Sequence, residues 1–140
     1  MKESMEEQEV FGFQKLDVWR KARALKVAVC LLAKTLPLEE HYMLAKQMIR
    51  SARSMNALIS EGHGRYSWPD QLHFCIQSRG SLAETMNHLV DAYDDRYITR
   101  EQLQAFLNQG KELEAVLNGY IRYIRTMKEK SREPTQSQKH

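Results

Sequence analysis

The side chains best placed to do chemistry in this sequence are cations. Lys46, Arg50 and Arg53 step by four and three residues, which puts them on one face if the segment is helical. Arg65 follows just beyond, and Arg20 and Arg23, joined by Lys26, make a second line earlier in the chain. Clustered cations neutralise phosphates and release their counterions, so such a surface can hold RNA or DNA without reading its sequence. The same spacing equally suits a solvated helix face, or arginines that pair with carboxylates across a subunit boundary. The net charge of +3 is modest for a dedicated nucleic-acid binder, but it is unevenly spread. Residues 15–65 hold ten Lys/Arg against four acids, whereas residues 1–14 and 66–98 are each net acidic.

Other constellations are weaker. His41, His63, His73 and His88 lie among Glu40, Glu61 and Glu84. A di-metal bundle site requires paired E-x-x-H motifs, because that spacing aims both ligands into the core. The nearest case, Glu84 to His88, is spaced by four and has no second copy, and there is no H-E-x-x-H or C-x-x-C. No metal or other cofactor is expected. Cys75 is two residues from His73, a spacing that points helical side chains apart rather than pairing nucleophile with base. Gly62-His63-Gly64-Arg65 lacks both the preceding strand and the Lys-Ser/Thr of a phosphate-binding loop, and reads as a helix stop with glycine in the left-handed cap. Cys30 and Cys75 fall within apolar helical patterns and are read as reduced, buried thiols. Trp19 neighbours an apolar row and belongs in the core, whereas Trp68 suits a surface. Gly80, mid-helix, costs about 1 kcal/mol against alanine, which suggests a close helix or subunit contact there; Gly110 suggests the same on a later helix.

The elements that must position these residues are helices. One domain with a real core fits 140 residues and a hydrophobic fraction of 42%, and only six Gly and three Pro interrupt the chain. No signal peptide is visible and no run of about 18 apolar residues exists, so a cytoplasmic protein without a membrane span is expected. Val18, Ala22, Leu25, Val29, Leu32 and Leu36 predict a first helix over 15–36, stopped by Pro37. A second, over 39–61, carries two apolar rows, Tyr42, Ala45, Ile49, Ala52, Ile59 and Leu44, Met48, Met55, Leu58. Ser67-Trp68-Pro69-Asp70 reads as a capped start for a third helix running to about Tyr93, with Leu72, Ile76, Leu82, Met86, Leu89 and Tyr93 inward. Thr99 and Gln102 form a second capping box, after which Leu103, Phe106, Gly110, Leu113, Leu117, Tyr120, Ile124 and Met127 keep the rhythm. Four such helices with short connections predict an all-α, antiparallel up-down-up-down four-helix bundle over 13–130. Residues 1–12 are read as a disordered acidic N-terminus and 131–140 as a disordered polar tail.

Several stretches, in order, resemble a bacterial family. Phe13-Gln-Lys-Leu16-Asp17-Val18-Trp19 is similar to its opening F-x-x-L-x-V-W, and Leu36-Pro37-x-x-Glu40-x-Tyr42-x-Leu44 to a later corner. Gln47, Arg50, Ile59, Glu61-Gly62-x-Gly64-Arg65-x-Ser67 and Gly80-Ser81-Leu82-x-Glu84 extend the likeness. The family is that of the four-helix-bundle proteins encoded by intervening sequences of 23S ribosomal RNA genes. Ile49, Asn56 and Leu58 depart from it, standing where the family usually has an arginine, a proline and an asparagine. The resemblance implies a protomer that assembles into a homopentamer. It also implies a fold shared with the accessory variability determinant of diversity-generating retroelements, a basic pentamer that binds a reverse transcriptase and nucleic acid.

Together these observations predict a non-catalytic, nucleic-acid-associated accessory protein, in which Arg20, Arg23, Lys46, Arg50, Arg53 and Arg65 contact phosphates of RNA or DNA. The partners expected are further copies of the chain, a nucleic acid, and a nucleic-acid enzyme such as a reverse transcriptase. The alternative is a protein-interaction module whose arginines meet acidic patches such as Asp91 to Asp95.

Overall fold

A computed structural model of the protein describes residues 10–132. Most of the acidic N-terminus and nearly all of the polar tail, both read as disordered, lie outside the described residues. Those that are described carry four α-helices and no strand: α1 (Asp17–Ala33), α2 (Leu44–His63), α3 (Trp68–Asp94) and α4 (Arg100–Arg132). Order begins before the expected boundary, because Gly12–Lys15 already forms a 3-10 turn, and α4 runs two residues past it. Each helix packs on the next and α1 also touches α4, the contact pattern of a bundle.

Helix ends differ from the sequence reading where local geometry competes with periodicity. Helix α1 stops at Ala33, and the next residues tighten into a turn in which Thr35 N and Oγ1 both donate to the Leu32 carbonyl at 2.9 and 2.7 Å. Leu36 still plugs the core from that turn. Helix α2 begins at Leu44 rather than Glu39, since Leu38–Glu40 is one 3-10 turn and Met43 has a non-helical backbone, φ −117° and ψ −102°. Tyr42 therefore falls outside the helix and is 86% exposed instead of joining an apolar row. Nor is the end of α2 a left-handed glycine cap: the helix continues through Gly62, and Gly64 keeps φ at −78°. Among the described residues the left-handed conformation belongs to Arg96, at φ 65°, in the turn between α3 and α4. Both capping expectations hold. Asp70 N donates to Ser67 Oγ at 3.3 Å, and Thr99 and Gln102 exchange backbone-to-side-chain bonds of 2.8 and 3.1 Å.

The core comprises Val18, Trp19, Leu25 and Val29 of α1, Met48, Met55 and Ile59 of α2, Leu82 and Leu89 of α3, and Leu113, Leu117, Ile121 and Ile124 of α4. Helix α3 is rotated from its predicted setting. Ile76 and Tyr93, expected inward, are each 37% exposed, while Cys75, Ser78, Leu82, Thr85, Leu89 and Ala92 form the buried row. The cause is the partner: α2 offers the small Ser51 and Ala52 there, and the small Ser78 and Thr85 of α3 let the two helices approach closely. Thr85 Oγ1 lies 2.9 Å from Ser51 Oγ, and Ser78 Oγ donates to the Met55 carbonyl at 2.7 Å, so these buried hydroxyls are satisfied. Asn56, another buried polar residue, reaches across to α1 and donates to the Trp19 carbonyl at 3.3 Å.

The glycines also divide unexpectedly. Gly110 packs as anticipated, for a Cβ there would come within 2.4 Å of Met86 Sδ. Gly80 does not: outside its own stretch of helix no described residue lies within 4 Å of where its Cβ would be, so none of them accounts for it. Gly62 is the close approach the sequence reading missed, since its Cβ would sit 2.9 Å from Phe74 Cβ. Gly80→Ala should therefore stabilise the chain by about 0.5–1 kcal/mol through helix propensity. Gly62→Ala should destabilise it by about 1–3 kcal/mol, because the obstacle is fixed close to backbone. Urea unfolding midpoints of the two variants should move in opposite directions.

Candidate functional site

Helix α2 presents its apolar row to the core, and the opposite face must then carry the polar residues of the same 3.6-residue period. Lys46, Arg50 and Arg53 are all exposed on that face, and together with Ile49, Ser54 and Ala57 they line a shallow depression of about 510 Å³. Arg20 and Arg23, also exposed, line a separate depression of about 440 Å³ on α1 with Ala24 and Val27. Arg65 stands apart, in the short connection after α2. The six predicted cations thus reach the surface as a trio, a pair and a single residue rather than as one continuous cleft.

Their immediate partners differ. Arg50 donates from Nε to Gln47 Oε1 at 2.9 Å and from Nη2 to Glu84 Oε2 of α3. Arg65 pairs with Glu61 at 2.9 Å and lays its guanidinium 4.6 Å from the centre of the Phe74 ring. Arg20 Nε donates to the Gln14 carbonyl at 2.8 Å, and Arg23 sits 5.9 Å from the ring centre of the buried Trp19. Lys46 and Arg53 form no ion pair with any described residue. Among the described residues Arg50 and Arg65 are balanced by carboxylates, whereas Lys46 and Arg53 flank Arg50 in the α2 depression with no such partner there.

Glu84 is a junction that periodicity alone did not reveal. Its carboxylate receives Arg50 from α2 and, at 3.2 Å, faces Nε2 of His88 one turn along α3, whose Nδ1 is 3.9 Å from Asp91. Partial desolvation works to raise the Glu84 carboxyl, but the hydrogen bonds to His88 and Arg50 outweigh it and hold the group below its ordinary range. Gln47, Arg50 and Glu84, quoted separately in the sequence as marks of resemblance, meet here in space.

The remaining chemistry-bearing residues are dispersed. Cys75 is fully buried, which pushes its thiol up to about 11, and Cys30 is half-buried; both are free. His73 is exposed and contacts Gln77 at 3.0 Å. Among the described residues no group of three or more His, Cys, Asp or Glu is placed to hold a metal ion. No helix there is long and apolar enough to cross a membrane. Trp68, read as a surface residue, is half-buried, with its ring 6.2 Å from that of Tyr123. At the end of the bundle where α1 turns into α2 and α3 into α4, Glu40, Asp91, Asp94 and Asp95 line a depression of about 660 Å³ with Met43, Leu44, Gln47 and His88. There Tyr97 donates its hydroxyl to Glu40 at 2.8 Å, a bond that helps push the phenol up to about 12.

The family model of the 23S rRNA-intervening sequence protein matches residues 14–119. The chain belongs to that family. It is also similar to a solved structure, the crystal structure of a protein of unknown function from the S23 ribosomal protein family of Bacteroides thetaiotaomicron. The two share 28% identity at a TM-score of 0.70, over 75% of this chain and 95% of the other. No curated protein matches the chain. The matched region takes in α1, α2, α3 and more than half of α4, and with them every cation considered above.

Because the folded carboxyl of Glu84 titrates below its ordinary value of 4.5, its stabilising contribution is complete above that value and is lost as pH falls through the lower folded one. Glu84→Gln should therefore be less stable than the parent at neutral pH, and the gap should close on acidification below about pH 4.5. Thermal unfolding of both proteins between neutral and acidic pH reads this out.

Proposed function

We propose that this member of the 23S rRNA-intervening sequence family is a non-catalytic, cytoplasmic accessory protein that binds the phosphates of RNA or DNA. In this reading the protomer is an antiparallel up-down-up-down bundle, and its copies assemble into a homopentamer. The observation that carries the proposal is the α2 depression, where Lys46 and Arg53 stand exposed on either side of Arg50 with no acidic partner among the described residues. Phosphate oxygens would compete with Glu84 for Arg50, which has donors enough to hold both. Arg20 and Arg23 on α1 extend the contact, since α1 is packed directly against α2. Arg65 joins from the end of the bundle.

One observation favours the alternative, a protein-interaction module. The cations of α2 and the acids Glu40, Asp91, Asp94 and Asp95 line two different depressions of one chain. A second copy could therefore bring them together, and a contact between two different patches closes into a ring when its rotation allows.

Mobility shift of RNA and of duplex DNA across a salt series separates the two. Phosphate binding should weaken steeply between about 50 and 200 mM salt, and Lys46→Ala/Arg53→Ala should lower the slope of log K against log salt by about two. Glu84→Ala, which releases Arg50, should tighten binding. Salt-independent retention, or none at micromolar protein, would sink the phosphate reading. Light scattering should give five times the 16.4 kDa chain mass; a particle that falls apart in Lys46→Ala/Arg53→Ala would assign those cations to a subunit contact instead.

A further inference from the structure

Large aromatic side chains are ordinarily the first to be buried, since each removes a large apolar area from water. Two are left out at the same end of this bundle. Tyr66 is 102% exposed and Phe11 is 76% exposed. Neither is carried on a loose segment. Tyr66 sits in the connection between α2 and α3, where the Gly64 amide donates to the Ser60 and Glu61 carbonyls at 3.1 and 3.2 Å. The Arg65 amide there donates to Gly62 at 3.0 Å, and Gln71 Nε2 clasps the Arg65 carbonyl at 2.9 Å. Ser67, the next residue, caps α3. Phe11 is the outer layer of an aromatic column: it stacks on Phe13 at 6.1 Å, and Phe13 packs on the buried Trp19 at 5.1 Å. The turn that carries it rests on the end of α2, with a Cβ at Gly12 only 3.3 Å from His63 Nε2.

Cations lie at the same end of the bundle as these rings. Arg65 adjoins Tyr66 and spreads over Phe74. Arg20 is tied through Gln14 to the turn bearing Phe11. On α4, the exposed Arg122 and Arg125 flank Tyr123 and Ile124, where Tyr123 meets Trp68. Among the described residues Asp17, Glu61 and Asp70 are acids of this end, and Glu61 pairs with Arg65. The opposite end carries the depression lined by Glu40, Asp91, Asp94 and Asp95. Phe11, Tyr66 and these arginines thus gather at one end, while the other end, which also exposes Tyr42, Arg96 and Arg100, holds the carboxylate depression.

We infer that this end binds single-stranded nucleic acid, with unpaired bases stacking on Tyr66 and Phe11 while the backbone runs toward Arg65 and Arg20. The inference rests on the phosphate-binding reading and adds to it the class of ligand. Cations alone hold duplexes and single strands alike, whereas an aromatic platform takes only bases whose faces are uncovered. The backbone that carries both rings is already held by the fold, so binding on them does not require a segment to be ordered. Both rings lie within three residues of a cation assigned to phosphates or of the residue it bonds, which suits the alternation of base and phosphate along a strand.

The test uses the full chain and four variants, Tyr66→Ala, Phe11→Ala, Tyr66→Phe and Lys46→Ala/Arg53→Ala. Each is titrated with a fluorescent oligo-dT of 20 nucleotides and with a duplex of equal length at low salt. The parent should prefer the single strand. Tyr66→Ala and Phe11→Ala should each lose about 5- to 150-fold in single-strand affinity with duplex affinity and salt slope unchanged, and Tyr66→Phe should behave as the parent. Lys46→Ala/Arg53→Ala should weaken both ligands. A 5-iodouracil oligonucleotide should crosslink to Tyr66 or Phe11 on irradiation. Single-strand affinity that survives both alanine variants while Lys46→Ala/Arg53→Ala loses it overturns the stacking inference and leaves phosphate binding intact. A parent that binds neither ligand overturns both. A change of particle mass in Tyr66→Ala or Phe11→Ala assigns the rings to a subunit contact and likewise overturns it.

Discussion

The rest of the molecule depends on how closely α2 and α3 approach each other. Their seam is the most extensive helix pair in the bundle, and it is built from short side chains with hydroxyl groups rather than from leucines. Ser51 meets Thr85, Ser54 meets Ser81 at 3.1 Å, and Ser78 reaches the Met55 carbonyl. Farther along, Gly62 admits Phe74. A hydroxyl buried without a partner would cost about 1–3 kcal/mol, so these residues tolerate only the register in which they find one another. The seam therefore specifies alignment as well as proximity. Of the buried side-chain polar atoms described, none lacks a hydrogen-bond partner.

Register at the seam decides the surface above it. With Ser51 held against Thr85, Arg50 is brought to Glu84, and Glu84 to His88. That bridge anchors one cation of the α2 face and leaves Lys46 and Arg53 to solvent on either side. The electrostatic character of the outer wall thus follows from packing beneath it, not from the count of charges. A net charge of +3 does not by itself describe what a ligand approaching α2 would meet, since Glu84 of α3 balances Arg50 while Lys46 and Arg53 have no ion-pair partner among the described residues.

Membership of the 23S rRNA-intervening sequence family fits this architecture, and the 28% identity to the Bacteroides thetaiotaomicron protein extends across nearly the whole of that chain. The marks by which the family was legible prove to be structural as well as superficial. Trp19 lies in the core, Gly62 is a helix-packing contact, and Gln47, Arg50 and Glu84 form the interhelical bridge. Asn56, one of the departures, compensates locally by bonding to the backbone of α1.

What the sequence determined by itself was helix content, the caps of α3 and α4, and the residues of α1 and α4 that face inward. Those signals are local, because a capping box acts within four residues and an apolar row repeats every turn. Three matters were decided by tertiary structure. The rotation of α3 was hidden because its buried row contains serine and threonine, which read as polar until a partner hydroxyl stands opposite. Even so, Ser78 and Thr85 fall in step with Cys75, Leu82 and Leu89, and that continuity was the available clue. The roles of Gly62 and Gly80 were exchanged, since a glycine's reason for being in a helix lies in what approaches it from elsewhere. The grouping of the cations was likewise beyond reach: spacing shows which charges share a helix face, but only the packed neighbour shows which of them already has a carboxylate.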